Sequence, residues 1–482
     1  MVSAVGETLA APGERMADAT QPATPERSFG ATSLTLTGIG TVIGAGIFVI
    51  TGQAAALYAG PAIIFSFVIA GIVCVFSALC YAEMAAMIPA QGSAYSFTRA
   101  AFGKQTGWVV GWALVAEYLF AMGAIAIGWS AYMQGVVGEM GVHLPAAWAT
   151  SPLALDGHLL KPTGSIINLP AVALVLLITL SHLAGVKKSG WLNIIIVWIK
   201  LSAVFLFIGF GLMHADPAHW TPLIPPVEAN PAGGTSFGIP GILQAAGVVF
   251  FAYLGFDALS TASQETRNPQ RNVPIAILAT LAISTVLYIA VAMAMTGLAD
   301  FRTLNTDAPI ATALAAGGAS LAWLKTYVGV AVTIGLWAGI WPCVFALSRL
   351  LICFSEDRLL PASLGATDAT SGIPRNSLLT AGVLGMLVAG FLPISLLGEL
   401  ISTGTLIAFA TVCASVIRLR LSQPNRERPF KVPAWPLVAA LGVLSSLFLL
   451  SSMGAYALAR IAAWQVIGLV VLLLLAQRKR SA

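Results

Sequence analysis

The sequence predicts an all-α integral membrane protein of about 12 transmembrane helices. Three observations predict it. Of the 482 residues 58% are hydrophobic and only 9% are charged, and the mean hydropathy of +0.89 is one that soluble domains do not reach. The apolar residues fall into runs of the length that a hydrocarbon core about 30 Å thick demands, about 20 residues per helix. Lys and Arg collect in alternate gaps between those runs, as the positive-inside rule requires. The net charge of +5 does not indicate nucleic acid, because the basic residues punctuate apolar runs instead of forming one face. Cys74, Cys80, Cys343, Cys353 and Cys413 lie within or at the edge of apolar segments, which argues against disulfides and a zinc cage. No cofactor is expected.

Residues 1–30, rich in Ala, Thr, Pro and Glu, lack the basic start and apolar middle of a signal peptide and read as a disordered cytoplasmic tail. Five apolar segments follow over residues 31–213, near Ser33–Ala54, Pro61–Pro89, Gln105–Gly138, Ser165–Val186 and Gly190–Met213. After a loop rich in Pro and Gly, a second five occupy residues 239–420, near Ile239–Gln264, Val273–Leu298, Thr326–Phe354, Asn376–Leu392 and Leu400–Arg420. Two more, near Ala434–Tyr456 and Ile461–Gln477, fill residues 434–477 ahead of a basic end. With the N-terminus inside, this count leaves only Lys161, Arg302, Lys325 and Arg460 on the outer side, and nearly all other Lys and Arg inside. One miscounted helix in the middle would scramble that sorting. Both termini are therefore expected on the cytoplasmic side of the membrane.

The first segment contains Gly38-Ile39-Gly40-Thr41-Val42-Ile43-Gly44-Ala45-Gly46-Ile47-Phe48, and each glycine costs a helix up to about 1 kcal/mol relative to Ala. One reading is a small-residue face at Gly40 and Gly44 that admits a neighbouring helix. The other is an unwound stretch at Gly44, Ala45 and Gly46 whose freed N–H groups bind an anionic group. A nucleotide-binding loop is excluded, because its third glycine would fall at Ile43 and no parallel strand is in view. The sixth segment repeats the theme with Phe250-Phe251-Ala252-Tyr253-Leu254-Gly255-Phe256-Asp257. Interruptions at corresponding positions of two halves point to a transporter site between inverted repeats, which favours unwinding at both.

An ionisable group at a helix centre costs at least about 2.5 kcal/mol on insertion scales, so each needs a purpose. Lys200 follows Trp198-Ile199 deep in the fifth segment. Snorkelling is the structural alternative; a desolvated ammonium otherwise exchanges a proton, or its charge replaces a bound cation. Glu117 is a candidate to meet a cationic group or a proton, with a structural ion pair as its alternative. Asp257 is expected to brace the broken sixth helix, and Glu83 to face headgroups or an inner gate.

These residues resemble the amino acid–polyamine–organocation superfamily, and within it bacterial relatives of the cationic amino acid transporters. The glycine motif of the first helix carries the resemblance, with Tyr81-Ala82-Glu83-Met84, Gly92-Ser93-Ala94-Tyr95, Phe251 through Asp257, Glu265-Thr266-Arg267-Asn268-Pro269, Glu356-Asp357-Arg358-Leu359-Leu360-Pro361 and Arg428-Pro429-Phe430-Lys431-Val432-Pro433. It implies a LeuT-like core of five plus five inverted helices, with helices 1 and 6 unwound, two further helices, and alternating access. It also implies roles. The substrate carboxylate meets the amides of Gly44, Ala45 and Gly46, next to Ile43, and the amino group meets carbonyls near Ile39, Phe251, Ala252 and Leu254. Phe251 resembles the gate over the substrate. Lys200 matches a fifth-helix lysine standing where sodium-coupled relatives bind a cation, which favours protons or exchange. Glu117 matches a third-helix glutamate of cationic-type members.

Two departures bear on the site. The eighth helix reads Gly335-Leu336-Trp337-Ala338-Gly339-Ile340-Trp341-Pro342-Cys343, bulkier than the small, hydroxylated stretch the resemblance leads one to expect; Trp337, Trp341 and Pro342 are expected either to shrink the pocket, favouring small neutral substrates where Glu117 favours Arg, Lys or ornithine, or to remove a hydroxyl that meets the lysine. Ser355-Glu356-Asp357-Arg358 stands where Ala-Arg-Asp-Gly is usual, which puts the inner gate contacts in question. The functional expectation is a secondary amino acid permease working by proton symport or by antiport, independent of sodium, for cationic and/or small neutral amino acids. A sodium symporter is the alternative within transport, and a nutrient sensor that no longer transports is the alternative outside it. A membrane enzyme would want convergent His, Asp or Ser groups, yet His143, His158, His214 and His219 fall in external loops and only His182 lies near a helix end. A channel filter motif is not in view. The sequence leaves the oligomeric state open.

Overall fold

The computed structural model describes residues 30–88, 92–156, 159–185, 190–229, 235–256, 259, 266–368 and 371–481. The molecule is a bundle of apolar helices. The first helix, α1 (Ala31–Val42), breaks and resumes at Gly46 as a π-helical turn that runs through α2 (Thr51–Ala54) to residue 59. Next come α3 (Ile63–Met87), α4 (Ala94–Phe102), α5 (Lys104–Glu139), α6 (Leu169–Leu183), α7 (Gly190–Met213) and α8 (Gly238–Val249). The second part holds α9 (Pro269–Leu298), α10 (Pro309–Ala316), α11 (Ala322–Glu356), α12 (Arg375–Phe391), α13 (Ile394–Ser422), α14 (Trp435–Ser452) and α15 (Ala455–Ser481).

Among the described residues, eight helical stretches are long and apolar enough to cross a membrane, and Leu169–Leu183, Gly238–Tyr253 and Arg375–Phe391 are shorter apolar helices beside them. The protein is thus a multi-pass membrane protein. Burial orders the bundle: the apolar window of α5 is 89% buried, against 22% for α14 and 11% for α15, so α5 runs through the centre and the last two helices lie outside. Trp112 and Trp464 fasten α15 to α5 by donating their indole N–H groups to each other's carbonyls, at 2.7 and 2.9 Å.

Where residues are described, helices occupy the expected segments with shifted ends; most of the sixth segment beyond residue 256 lies outside the described residues. Elements too short for a hydropathy window were not anticipated. Helix α4 is amphipathic, burying Tyr95, Phe97 and Thr98 while Arg99 and Ala100 stay exposed, and Gly103 at φ +90 turns it into α5. Helix α10 lies in the α9–α11 connection, and two antiparallel hairpins pair Leu153–Asp156 (β1) with Leu159–Pro162 (β2), and Glu228–Ala229 (β3) with Thr235–Ser236 (β4).

Candidate functional site

The first helix breaks within its glycine run, at Ile43 and Gly44, so that of the stretch expected to unwind only Gly44 is non-helical while Ala45 and Gly46 already begin the resumed helix. Ile43 leaves helical geometry at φ −72 and ψ 100. The second break ends α8: a 3-10 turn over Phe250–Tyr253 is followed by Leu254 at ψ 143 and Gly255 at φ +107. Only glycine holds that last conformation readily, and a Cβ at Gly255 would also press on Thr41. The two breaks touch, because a Cβ at Gly46 would overlap the Ala252 backbone.

Broken helices expose carbonyls that must be satisfied in an apolar setting. Two neighbouring helices supply donors at the breaks, and a third supplies one to the resumed helix. Lys200 on α7 donates from Nζ to the carbonyls of Gly40 and Ile43, at 2.7 and 2.9 Å. The Tyr288 hydroxyl on α9 lies 3.0 Å from the Val42 carbonyl and 2.6 Å from that of Ala252, so its single proton serves both breaks. Tyr132 on α5 donates to the Phe48 carbonyl at 2.7 Å. The charge pattern is complementary: an ammonium sits at the negative end of α1, while the amides at the start of the resumed helix have no acceptor within it and suit an anion.

Between the breaks lies a cavity of about 340 Å³, the size of a small-ligand site. It brings together Ile43, Gly44, Ala45, Gly46, Glu117, Lys200, Phe251 and Leu254 of the residues expected to bind substrate or couple transport. Ile39 and Ala252 are buried without lining it, their carbonyls taken by the Ile43 amide and the Tyr288 hydroxyl. Asp257 lies outside the described residues. A Cβ at Gly44 would meet nothing within 4 Å, so that position opens on the cavity. Glu117 is buried, and its Oε2 accepts from Thr405 on α13 at 3.0 Å.

The expectation for the eighth helix is corrected. Gly335, Leu336, Ala338, Gly339, Pro342, Cys343 and Ala346 of α11 line the cavity, while Trp337 and Trp341 do not. Positions 335, 339, 342 and 346 share one helical face, and the tryptophans lie about half a turn away. Trp337 is exposed and meets Trp129 edge-on, and Trp341 lies against the His182 ring with centroids 4.1 Å apart. The lining face is small, so the tryptophans do not shrink the pocket.

Two of the ionic clusters outside the cavity involve residues singled out in the sequence. Despite its altered surroundings, Asp357 accepts from the Tyr95 hydroxyl and pairs with Arg99 at 2.6 Å, joining the end of α11 to α4. Burial and that carboxylate push the Tyr95 phenol above its ordinary range. Glu83 faces neither headgroups nor solvent: only 1% exposed, it takes both Arg420 Nε at 2.8 Å and Nη2 at 2.7 Å, and the Val432 amide at 2.7 Å.

Sequence reasoning missed Tyr132, Tyr288 and Thr405. A lone Tyr or Thr in an apolar run reads as core, and only the fold reveals the carbonyl opposite each tyrosine and the Glu117 carboxylate opposite Thr405.

Residues 29–476 match the amino acid permease family. The chain belongs to that family. The permease is 36% identical to the branched-chain amino acid permease BcaP of Bacillus subtilis over 94% of both chains. It is 37% identical to the methylthioribose transporter of the same organism, again over 94% of both. With the vacuolar cationic amino acid transporter 4 of Arabidopsis thaliana it shares 31% identity over 83% of this chain and 64% of that one. These relatives are transporters, so the permease is a transporter of the amino acid–polyamine–organocation superfamily and its cavity is not an enzyme active site.

Proposed function

We propose that the permease carries amino acids by alternating access, driven by protons or by exchange and independent of sodium. The observation that carries this reading is one cavity bounded by both helix breaks and by Lys200. The substrate carboxylate docks on the amides of Gly44, Ala45 and Gly46, and its amino group on carbonyls released between Phe251 and Leu254. Phe251 closes over it. Sodium would need the oxygen ligands that the Lys200 ammonium already holds at Gly40 and Ile43.

In this reading 12 spans form a LeuT-like core, with residues 31–213 and 239–420 as inverted repeats and residues 434–477 as two peripheral helices, following a cytoplasmic tail over residues 1–30. Both termini face the cytoplasm of a bacterial cell.

The walls beyond the breaks favour an apolar side chain. Ala121, Ile125, Leu336, Ala338 and Gly339 form an uncharged surface of small and branched residues, and branched-chain permeases are among the relatives. Glu117 on the same wall favours a second reading, a cationic side chain, which the plant relative's name also suggests. Uptake of labelled leucine, alanine, arginine and methylthioribose into proteoliposomes, with wild type and Glu117→Gln, separates the two. The proposal expects saturable leucine and alanine uptake in both proteins. Arginine uptake that disappears in the variant, with leucine refused, would establish the cationic reading instead.

A further inference from the structure

Lys200 reaches the first helix break by crossing the face of α11, and the crossing is made at Gly335. A Cβ built there would lie 2.5 Å from Lys200 Cδ and nearer still to Cγ, far inside the 3.5–4.0 Å that carbon atoms prefer, about 1 Å or more of overlap. The lysine stem is held at both ends. Its Cα is fixed in α7, and Nζ is held at the other end by the Gly40 and Ile43 carbonyls. A second glycine governs the same approach: a Cβ at Gly40 would lie 2.5 Å from a methyl of Val197, the residue one turn before Lys200 on the same face of α7. Glycine on α1 lets α7 come close, and glycine on α11 leaves the slot through which the side chain passes.

We infer that Gly335 is a positioning residue for Lys200, which keeps the ammonium on the carbonyls of the broken helix by presenting no side chain to the lysine stem. The inference builds on the reading of Lys200 as the coupling group and adds the residue that fixes its place. A methyl at 335 forces the stem out of its slot and takes the amine off the break, so coupling fails although the lysine is still present. Once the lysine is truncated, the same methyl fits the space that the stem has left. Glu117, Tyr118 and Cys343 are the other ionisable side chains lining the cavity, and the substitution changes none of them.

The test is a double-mutant cycle of wild type, Gly335→Ala, Lys200→Ala and the double variant, read by thermal melting of the purified protein and by proton-gradient stimulation of amino acid uptake in proteoliposomes. Gly335→Ala is expected to lower stimulated uptake roughly tenfold or more, to melt earlier than wild type, and to have no further effect on either readout once Lys200 is alanine. Should Gly335→Ala fail to fold, recovery of folded protein in the double variant supports the inference and no recovery overturns it. Wild-type uptake by Gly335→Ala, or an equal loss of melting temperature with and without Lys200, also overturns it. The two readouts separate the claims: if Lys200→Ala leaves proton stimulation intact, the coupling reading fails, while the melting cycle still decides positioning.

Discussion

Two glycines two residues apart should respond to one methyl group in opposite ways. Neither Gly44 nor Gly46 has a positive φ, so alanine is compatible with the backbone at both. What differs is the space in front. At Gly46 the new Cβ overlaps the Cα and Cβ of Ala252, and a backbone atom in a packed helix cannot be displaced like a side-chain tip. Overpacking of this kind costs typically about 1–3 kcal/mol, and a backbone neighbour puts this site at or above the upper end. At Gly44 nothing lies within 4 Å, so Gly44→Ala should fold with wild-type stability. The methyl instead enters the cavity where the carboxylate is to dock. Losing one charge-assisted hydrogen bond costs about 1.5–3 kcal/mol, on the order of 10- to 100-fold in affinity. The assay is thermal melting of both variants with and without substrate. Gly46→Ala should melt early, and Gly44→Ala should melt like wild type without the stabilisation that substrate gives. Early melting of Gly44→Ala, or wild-type substrate stabilisation in it, would refute the assignment of the break to substrate binding.

Tyr288→Phe leaves two buried carbonyls, those of Val42 and Ala252, without their donor; it should cost about 1–3 kcal/mol and slow uptake, measured as initial rate and melting temperature. Glu83→Ala strands the Arg420 and Arg428 guanidiniums, of which Arg428 is 3% exposed in its side chain, so a loss of about 3–5 kcal/mol is expected. Adding Arg420→Met should recover part of it, as read by melting of the double variant. Asp307, half-buried in the α9–α10 connection, has its carboxyl pushed by burial from an ordinary 3.8 up to about 6. Folding then favours the protonated acid, so this contribution to stability is intact below the unfolded value and is lost as pH rises towards 6. Asp307→Asn should therefore raise the melting temperature near pH 8 by the equivalent of at most about 3 kcal/mol, with a gain that vanishes near pH 4.

Much of this was legible because membrane helices are governed by a few strong constraints. Length and apolarity located the long helices, and four glycines in one apolar run located the first break. Gly255 marked the second, since the positive φ it adopts inside a helical segment is what glycine permits. Lys200 was legible as an intramembrane cation, but its acceptors were not, because carbonyls freed by unwinding leave no trace in side-chain identity. The same blindness concealed Tyr132 and Tyr288. The tryptophans of α11 misled for a different reason: composition counts them near the site, whereas rotation about the helix axis decides which face they occupy. Helix α4 and the hairpins escaped because their apolar residues are too few for a hydropathy window and are fixed by contacts with distant segments.

The most direct measurement is amino acid uptake into proteoliposomes under an imposed proton gradient, an imposed sodium gradient, or internal amino acid alone, with wild type and Lys200→Ala side by side. Saturable uptake that follows the proton gradient or is stimulated by internal amino acid, ignores sodium and collapses in the variant is the result expected. Uptake driven by sodium, or no uptake of any amino acid under any gradient, would contradict the account.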